Sequence, residues 1–160
     1  MRKILLLDPE KCVACRLCEM ACSILHGVTV SPVKSMIGII NLRKAGVNIP
    51  VVCQQCVKPL CADACPTGAL SRNEETGAMV VDSDLCIACR MCTTACPLGG
   101  IAVDSEAGYS VKCDLCGGDP LCVKVCGYGA IRYLPEDVAT LKRRRDAVKK
   151  LGAMMEKIVV

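Results

Sequence analysis

The sequence predicts an α+β fold in which two modules of short strands and short helices interleave along the chain, with one helix added at the C-terminus. Three observations predict it. Cysteine supplies sixteen of the 160 residues and falls into four tight groups. Aromatic side chains, which normally fill much of a small core, are reduced to Tyr109, Tyr128 and Tyr133, with no Phe or Trp. Between the groups lie pairs of short β-prone runs around turn residues. Something other than ordinary apolar packing must therefore hold the body together.

The first group, "CVACRLCEMAC", places Cys12, Cys15, Cys18 and Cys22 in the spacing C-x2-C-x2-C-x3-C. The third, Cys86, Cys89, Cys92 and Cys96, repeats it. The second, Cys53, Cys56, Cys61 and Cys65, has four residues between its middle cysteines; the fourth, Cys113, Cys116, Cys122 and Cys126, has five. Short and expanded groups alternate, and no cysteine is left over.

Three thiolates two residues apart line one concave turn and hold three corners of an iron–sulfur cube. The fourth begins a helix and points away. In two-cluster ferredoxins that fourth residue ligates the other cluster, and a proline commonly follows it. Pro66 follows Cys65 and Pro97 follows Cys96, whereas Ser23 and Gly127 stand at the other two positions. Disulfides need an oxidising compartment, and close C-x2-C repeats bridge poorly. Zinc prefers two separated C-x2-C pairs, without a third thiol at i+6. Sixteen ligands at four per cube predict four [4Fe–4S] clusters with none spare.

Residues 66–85, "PTGALSRNEETGAMVVDSDL", have the length of a helix turn plus a hairpin, with "ALSR" and "AMVVD" as strands around "NEETG". Groups two and three are thus expected to form one ferredoxin-like module. Its clusters would take Cys53, Cys56, Cys61 with Cys96, and Cys86, Cys89, Cys92 with Cys65. Groups one and four are left to pair across the chain, as Cys12, Cys15, Cys18 with Cys126, and Cys113, Cys116, Cys122 with Cys22. The expected organisation is an inner module at about 53–100, an outer module at about 1–22 with 101–134, an insertion at 23–52, and a helical tail at 135–160. The strands "KILLLD" and "GAIRYL" are expected to pair, and "PLGGIAVDSEAGYSVKC" to form another short hairpin. A chain with so little core should fold poorly without its metal.

This pattern resembles the four-cluster ferredoxin-like electron-transfer subunits of the dimethyl sulfoxide reductase beta-subunit type. The resemblance covers about residues 1–134. It rests on the four cysteine groups, on "QQC" and "CPTGAL" in group two, "CIACRMCTTACP" in group three and "KCDLC" in group four. It implies two bacterial-ferredoxin-like modules with the cluster pairing given above. It also implies a larger catalytic subunit as partner, and a flavin subunit or a soluble ferredoxin as further partners. Relatives serve formate dehydrogenases, hydrogenases, carbon monoxide dehydrogenase and tungsten aldehyde oxidoreductases. The short body and basic tail favour the last, whose catalytic subunit carries a tungsten or molybdenum pterin and works anaerobically. A free-standing polyferredoxin and a zinc-bound scaffold are the competing readings.

The chain offers no G-x-G-x-x-G, phosphate loop, nucleophile elbow or histidine-based metal site, so no catalysis of its own is expected. The formal charge of +4 leaves the thiols neutral. Thiolate ligation changes that sign, and no aromatic-studded basic groove accompanies it, so no nucleic-acid partner is expected. "MRKILLLDPEKC" is too short in apolar residues for a signal-peptide core, and no run reaches the roughly 20 residues of a membrane span. The expected location is the cytoplasm.

Other residues invite both functional and plain readings. "MIGIINLR" and "NIPVV" in the insertion are strand-like, and either face a partner or cover the module as an edge. His26, the one histidine, is expected to be a structural or interface residue rather than a redox-linked proton carrier. Lys58, Arg90, Lys112 and Lys124 flank ligand groups and either tune potentials or are simply solvated. In the tail, Pro135, Glu136 and Asp137 suit the first turn of a helix. Leu134, Val138, Leu141, Val148, Leu151, Met155 and Ile158 form a broken apolar stripe beside the basic run Lys142–Arg145, Lys149 and Lys150. Docking to a partner subunit, either catalytic or a second copy of this chain, is the favoured reading of that stripe over a helix packed on the chain's own body with a solvated basic face.

Overall fold

A computed structural model describes residues 2–27 and 29–158; the side chains of 153 and 156–158 lie outside that description. Its strands form four antiparallel two-stranded ribbons. The first joins the two ends of the chain: β1 (Lys3–Leu7) runs against β8 (Ile131–Pro135), with Leu5 opposite Tyr133. The others are local hairpins: β2 (Ile37–Leu42) with β3 (Val47–Val52), β4 (Leu70–Arg72) with β5 (Met79–Val81), and β6 (Ile101–Asp104) with β7 (Tyr109–Lys112). All the strand pairs expected from the sequence occur, and the two insertion segments pair with each other.

The unbroken apolar run of β1 has a direct cause. Ile4 and Leu6 bury one face against Ala139 of the tail helix, while Leu5 enters the main core on the other. A strand covered on both faces loses its alternation. The main core joins Leu5, Ile37, Ile39, Val52, Leu115 and Ile131 to Cys18, Cys22, Cys113 and Cys122. A smaller one joins Leu70, Met79 and Ile101 to Cys92. The insertion therefore covers the first and fourth cysteine groups with Ile37 and Ile39, while Ile40, Leu42 and Val47 remain exposed on the ribbon. Buried Glu19 locks that ribbon to the helix beneath, accepting the Ile39 N–H at 2.6 Å.

The helices are α1 (Leu17–Gly27), α2 (Leu60–Asp63), α3 (Met91–Ala95), α4 (Leu121–Lys124) and α5 (Glu136–Ile158). Three of them last four or five residues. A tight turn follows the last cysteine of each of these groups, with Gly68, Gly99 and Gly129 at φ +68°, +61° and +62°. Pro66 and Pro97 cannot continue a helix. Ser23 replaces proline after Cys22, so α1 runs on, its hydroxyl donating back to the Met20 carbonyl at 3.0 Å.

Pro135 corrects one expectation. It closes β8 opposite Lys3, and the ladder holds it extended, so α5 begins at Glu136. The Glu136 N–H reaches the Arg2 carbonyl at 3.0 Å and its carboxylate pairs with the Arg2 guanidinium. Val138, Leu141, Val148, Leu151, Met154 and Met155 are exposed along α5; the Ile158 side chain lies outside the described residues. No described helix is long and apolar enough to cross a membrane.

Candidate metal centres

The loops between cysteines are wound the wrong way for ordinary residues. Among the described residues, seven non-glycine positions have positive φ, and all seven lie inside the cysteine groups: Ala14, Arg16, Gln55, Ala88, Arg90, Leu115 and Cys116. Four of them stand two residues after the first cysteine of their group. Left-handed L-residues cost about 1–2 kcal/mol each, so seven in four loops need a compensating cause. Such turns aim successive backbone N–H groups into one concavity, which suits a bound anionic group.

The concavities are lined by thiols from two groups at once. Cys12, Cys15 and Cys18 line one with Cys126. Cys113, Cys116 and Cys122 line a second with Cys22. Cys53, Cys56 and Cys61 line a third with Cys96. The remaining four thiols are linked more locally. Ser110 reaches Cys86 Sγ through its N–H at 3.3 Å and Cys92 Sγ through its hydroxyl at 3.3 Å. Cys65 lies near enough to Cys86 to act on its ionisation, and Cys89 is exposed in the turn between Cys86 and Cys92. All sixteen cysteines are unpaired thiols.

Backbone N–H groups also point at cysteine sulfurs: Met36 at Cys22 (3.4 Å), Gln55 at Cys53 (3.5 Å) and Gly100 at Cys96 (3.4 Å). Thr67 lies 3.6 Å from Cys65 Sγ, and His26 Nε2 3.6 Å from Cys116 Sγ. Without metal the thiols are tuned apart. Burial pushes Cys18 up to about 11 and Cys122 up to about 12, and drives Cys113 higher still. Burial also acts upward on Cys65 and Cys86, but hydrogen bonds from Thr67 and its neighbours, and from Ser110 and Ala88, outweigh it and leave both lowered. Protons are displaced when metal enters such sites.

Between the second and third concavities, Gln55 is 1% exposed. Its amide donates to the Cys113 carbonyl at 2.7 Å and accepts the Met79 N–H at 2.8 Å. Lys112 is buried beside it, whereas Lys58, Arg90 and Lys124 are exposed. The roles of Gln55, Gly100 and Ser110 are not visible in the cysteine spacing. The turn glycines Gly68, Gly99 and Gly129 did carry a signal, recurring three residues after the last cysteine of groups two, three and four, but Gly100 is outside that recurrence. The β6–β7 hairpin, in the segment expected as outer, places Ile101 and Ser110 against the inner groups.

Donor chemistry and shape agree. Four thiols around each concavity, N–H groups aimed at sulfur and left-handed loops fit an iron–sulfur cube, and such a fold and site define an iron–sulfur electron-transfer protein. Residues 45–136 match the 4Fe-4S dicluster domain and residues 5–23 the 4Fe-4S binding domain. The protein belongs to the 4Fe-4S dicluster domain family. It is similar to the polyferredoxin-like subunit of an aliphatic sulfonate oxidoreductase from Pyrococcus furiosus, 44% identical over 133 residues that cover 81% of this sequence and 76% of that protein. It is also similar to the electron transport protein HydN of Escherichia coli, 32% identical over 175 residues covering 92% of this sequence and 99% of that protein. A solved structure of the active site complex BamBC of benzoyl coenzyme A reductase aligns over 96% of both sequences at 20% identity, with a TM-score of 0.49.

Proposed function

We propose that this chain is an electron-transfer subunit holding four [4Fe–4S] clusters and serving a larger catalytic oxidoreductase subunit, itself a tungsten or molybdenum pterin enzyme of aldehyde oxidoreductase type. The observation that carries it is the cross-group lining of the three concavities, four thiols to each. Each cube, when bound, stores and releases one electron. The cysteines of the two outer sets alternate along α1, with Cys18 in one set and Cys22 in the other, and again along α4 and the turn after it, with Cys126 in the first set and Cys122 in the second. Gln55 ties the second outer set to the first inner one through Cys113 and Cys53. The inner sets share the segments 53–65 and 86–96. The four sets thus follow one another in a single row, which suits delivery between two partners at opposite ends.

Supporting the partner class are the relative from Pyrococcus furiosus, named as a subunit of an oxidoreductase, and the lack of substrate chemistry in this chain. A flavin subunit or a soluble ferredoxin is the natural partner at the other end. The modules proposed are an inner one at about residues 53–100 and an outer one at about 1–22 with 101–134, with an insertion at 23–52 and a C-terminal helical tail at 135–160.

The test is anaerobic isolation of the native complex from its source cells. The expected result is about sixteen irons on this chain, together with a larger chain containing tungsten or molybdenum. Recovery of the chain alone at full yield would overturn the partner assignment.

A further inference from the structure

Lys112 ends β7 at 4% exposure. Its ammonium donates to the Met79 carbonyl at 2.5 Å and the Cys113 carbonyl at 3.2 Å. An ammonium has three donors, and among the described residues the third finds no protein acceptor. No carboxylate pairs with it among those residues either. A buried cation without an opposite charge is strongly unfavourable, and the four thiols of the concavity it lines supply that charge once ionised.

The side chain lines the concavity of Cys53, Cys56, Cys61 and Cys96. The same concavity has a second cation at its lip, Lys58, which is exposed and therefore screened.

We propose that Lys112 is a built-in counter-charge for the cube held by Cys53, Cys56, Cys61 and Cys96, raising that cube's reduction potential. The inference rests on the four-cluster reading. The physical cause is simple: reduction adds one negative charge to the cube, and a fixed cation in a region water does not reach favours the more negative form. The backbone bonds to Met79 and Cys113 hold the charge in place, so no side-chain reorganisation accompanies the electron. Lys112 is in this sense a positioning residue: it ligates nothing and biases where the electron rests.

The test uses the full chain, purified without oxygen, with iron counted and each midpoint read by potentiometric titration followed by electron paramagnetic resonance. About sixteen irons in the wild type support the four-cluster reading; far fewer overturn that reading, whatever Lys112 does. In Lys112→Gln, one midpoint is expected to fall by at least the 59 mV that marks a tenfold change in the reduced-to-oxidised ratio. Lys112→Arg should keep it within that range, and Lys58→Gln should move it less than Lys112→Gln does. Where the Gln variant fails to hold its iron, Lys112→Met is titrated instead. Loss of four irons from both neutral variants, with Arg retaining them, also supports a counter-charge. Full iron with no midpoint moved by that amount overturns the proposal. An equal shift in Lys58→Gln, or loss of iron from the Arg variant as well, does the same.

Discussion

Gly100 stands against the backbone of Cys53: a Cβ at position 100 would lie 2.7 Å from the Cys53 Cα and 3.0 Å from its nitrogen. The obstacle is main chain rather than a flexible side chain, so it does not move aside cheaply. The same Gly100 directs its N–H to Cys96 Sγ. One glycine therefore sets the spacing between two cysteines that the inner module must bring to one concavity.

Gly100→Ala is accordingly expected to destabilise the inner module by about 1–3 kcal/mol, the usual cost of overpacking. It should also lower iron from about sixteen toward about twelve per chain. Iron analysis of the anaerobic protein checks this. Gly108→Ala serves as a control, because its position is sterically open although its φ of +75° strains any side chain. If the Gly100→Ala protein holds full iron, the close approach does not govern assembly.

His26 makes a different kind of contact. Its Nε2 lies 3.6 Å from Cys116 Sγ and 3.7 Å from Asp114 Oδ1. A metal-bound thiolate only accepts, so ligation selects the tautomer that donates from Nε2. Hydrogen bonds to ligand sulfur raise cluster potentials. His26→Leu should therefore lower one midpoint by about 40 mV, the equivalent of roughly 1 kcal/mol for one hydrogen bond and one electron. Redox titration reads this directly, and His26→Gln, which keeps a donor, should recover part of the shift.

What the sequence revealed and what it hid follow from how local each cause is. The ligand spacing and the hairpin between groups two and three follow from runs of a few residues, while the partnership of β1 with β8 follows from expecting groups one and four to pair, which brings the two ends of the chain together. The two-cluster ferredoxin pattern leads one to expect the fourth cysteine of a group beside the other group's concavity, and Cys126, Cys22 and Cys96 lie in that way. Gln55 was opaque for the opposite reason: its partners, the Cys113 carbonyl and the Met79 N–H, lie 58 and 24 residues away. Lys112 was legible as a cation beside a cysteine group, but its burial against the Met79 carbonyl, 33 residues away, was not. The tail was legible as a helix, but its first residue was not, because Pro135 suits a helix start and a strand end equally. Only its pairing with Lys3 decides between them.

The insertion is fastened by Lys34, whose ammonium bonds Asp104 at 2.8 Å and Glu106 at 2.7 Å. The bond to Asp104, then that to Glu106, raise the Lys34 pKa, and Lys34 in turn holds the Asp104 carboxyl below its ordinary 3.8. The depressed carboxyl contributes stability that is present above its unfolded value and lost as pH falls through the folded one. The raised ammonium contributes stability present below 10.5 and lost as pH rises through its folded value. Comparing bleaching rates of Asp104→Asn and wild type cancels the general lability of the clusters. Their ratio should exceed one and stay level from about pH 4 to about pH 10, then fall toward one outside that window. A ratio of one at pH 7 would mean the pair does not fasten the insertion.

The tail helix separates folding from docking. Its 23 residues span roughly 35 Å at 1.5 Å per residue, yet its firm contacts with the body come early. They are Ala139, fully buried, and Arg143, which bonds Gln54 Oε1 at 2.6 Å and the Leu5 carbonyl at 3.4 Å. Beyond them, the Lys150–Glu10 pair at 3.3 Å is exposed, and exposed pairs contribute little. Val148, Leu151, Met154 and Met155 stay in water, flanked by Lys149 and Lys150. Ending the chain after Ala147 should therefore leave the iron content and all midpoints unchanged. Fully burying even one such side chain is worth about 1.5–3 kcal/mol, and 1.4 kcal/mol is tenfold in affinity. If the catalytic subunit covers this face, the shortened chain should bind it at least tenfold more weakly, measured by titration of the purified subunits at fixed salt. Equal affinity for the full-length and shortened proteins would place the catalytic contact elsewhere, on the exposed Ile40, Leu42 and Val47 of the insertion ribbon.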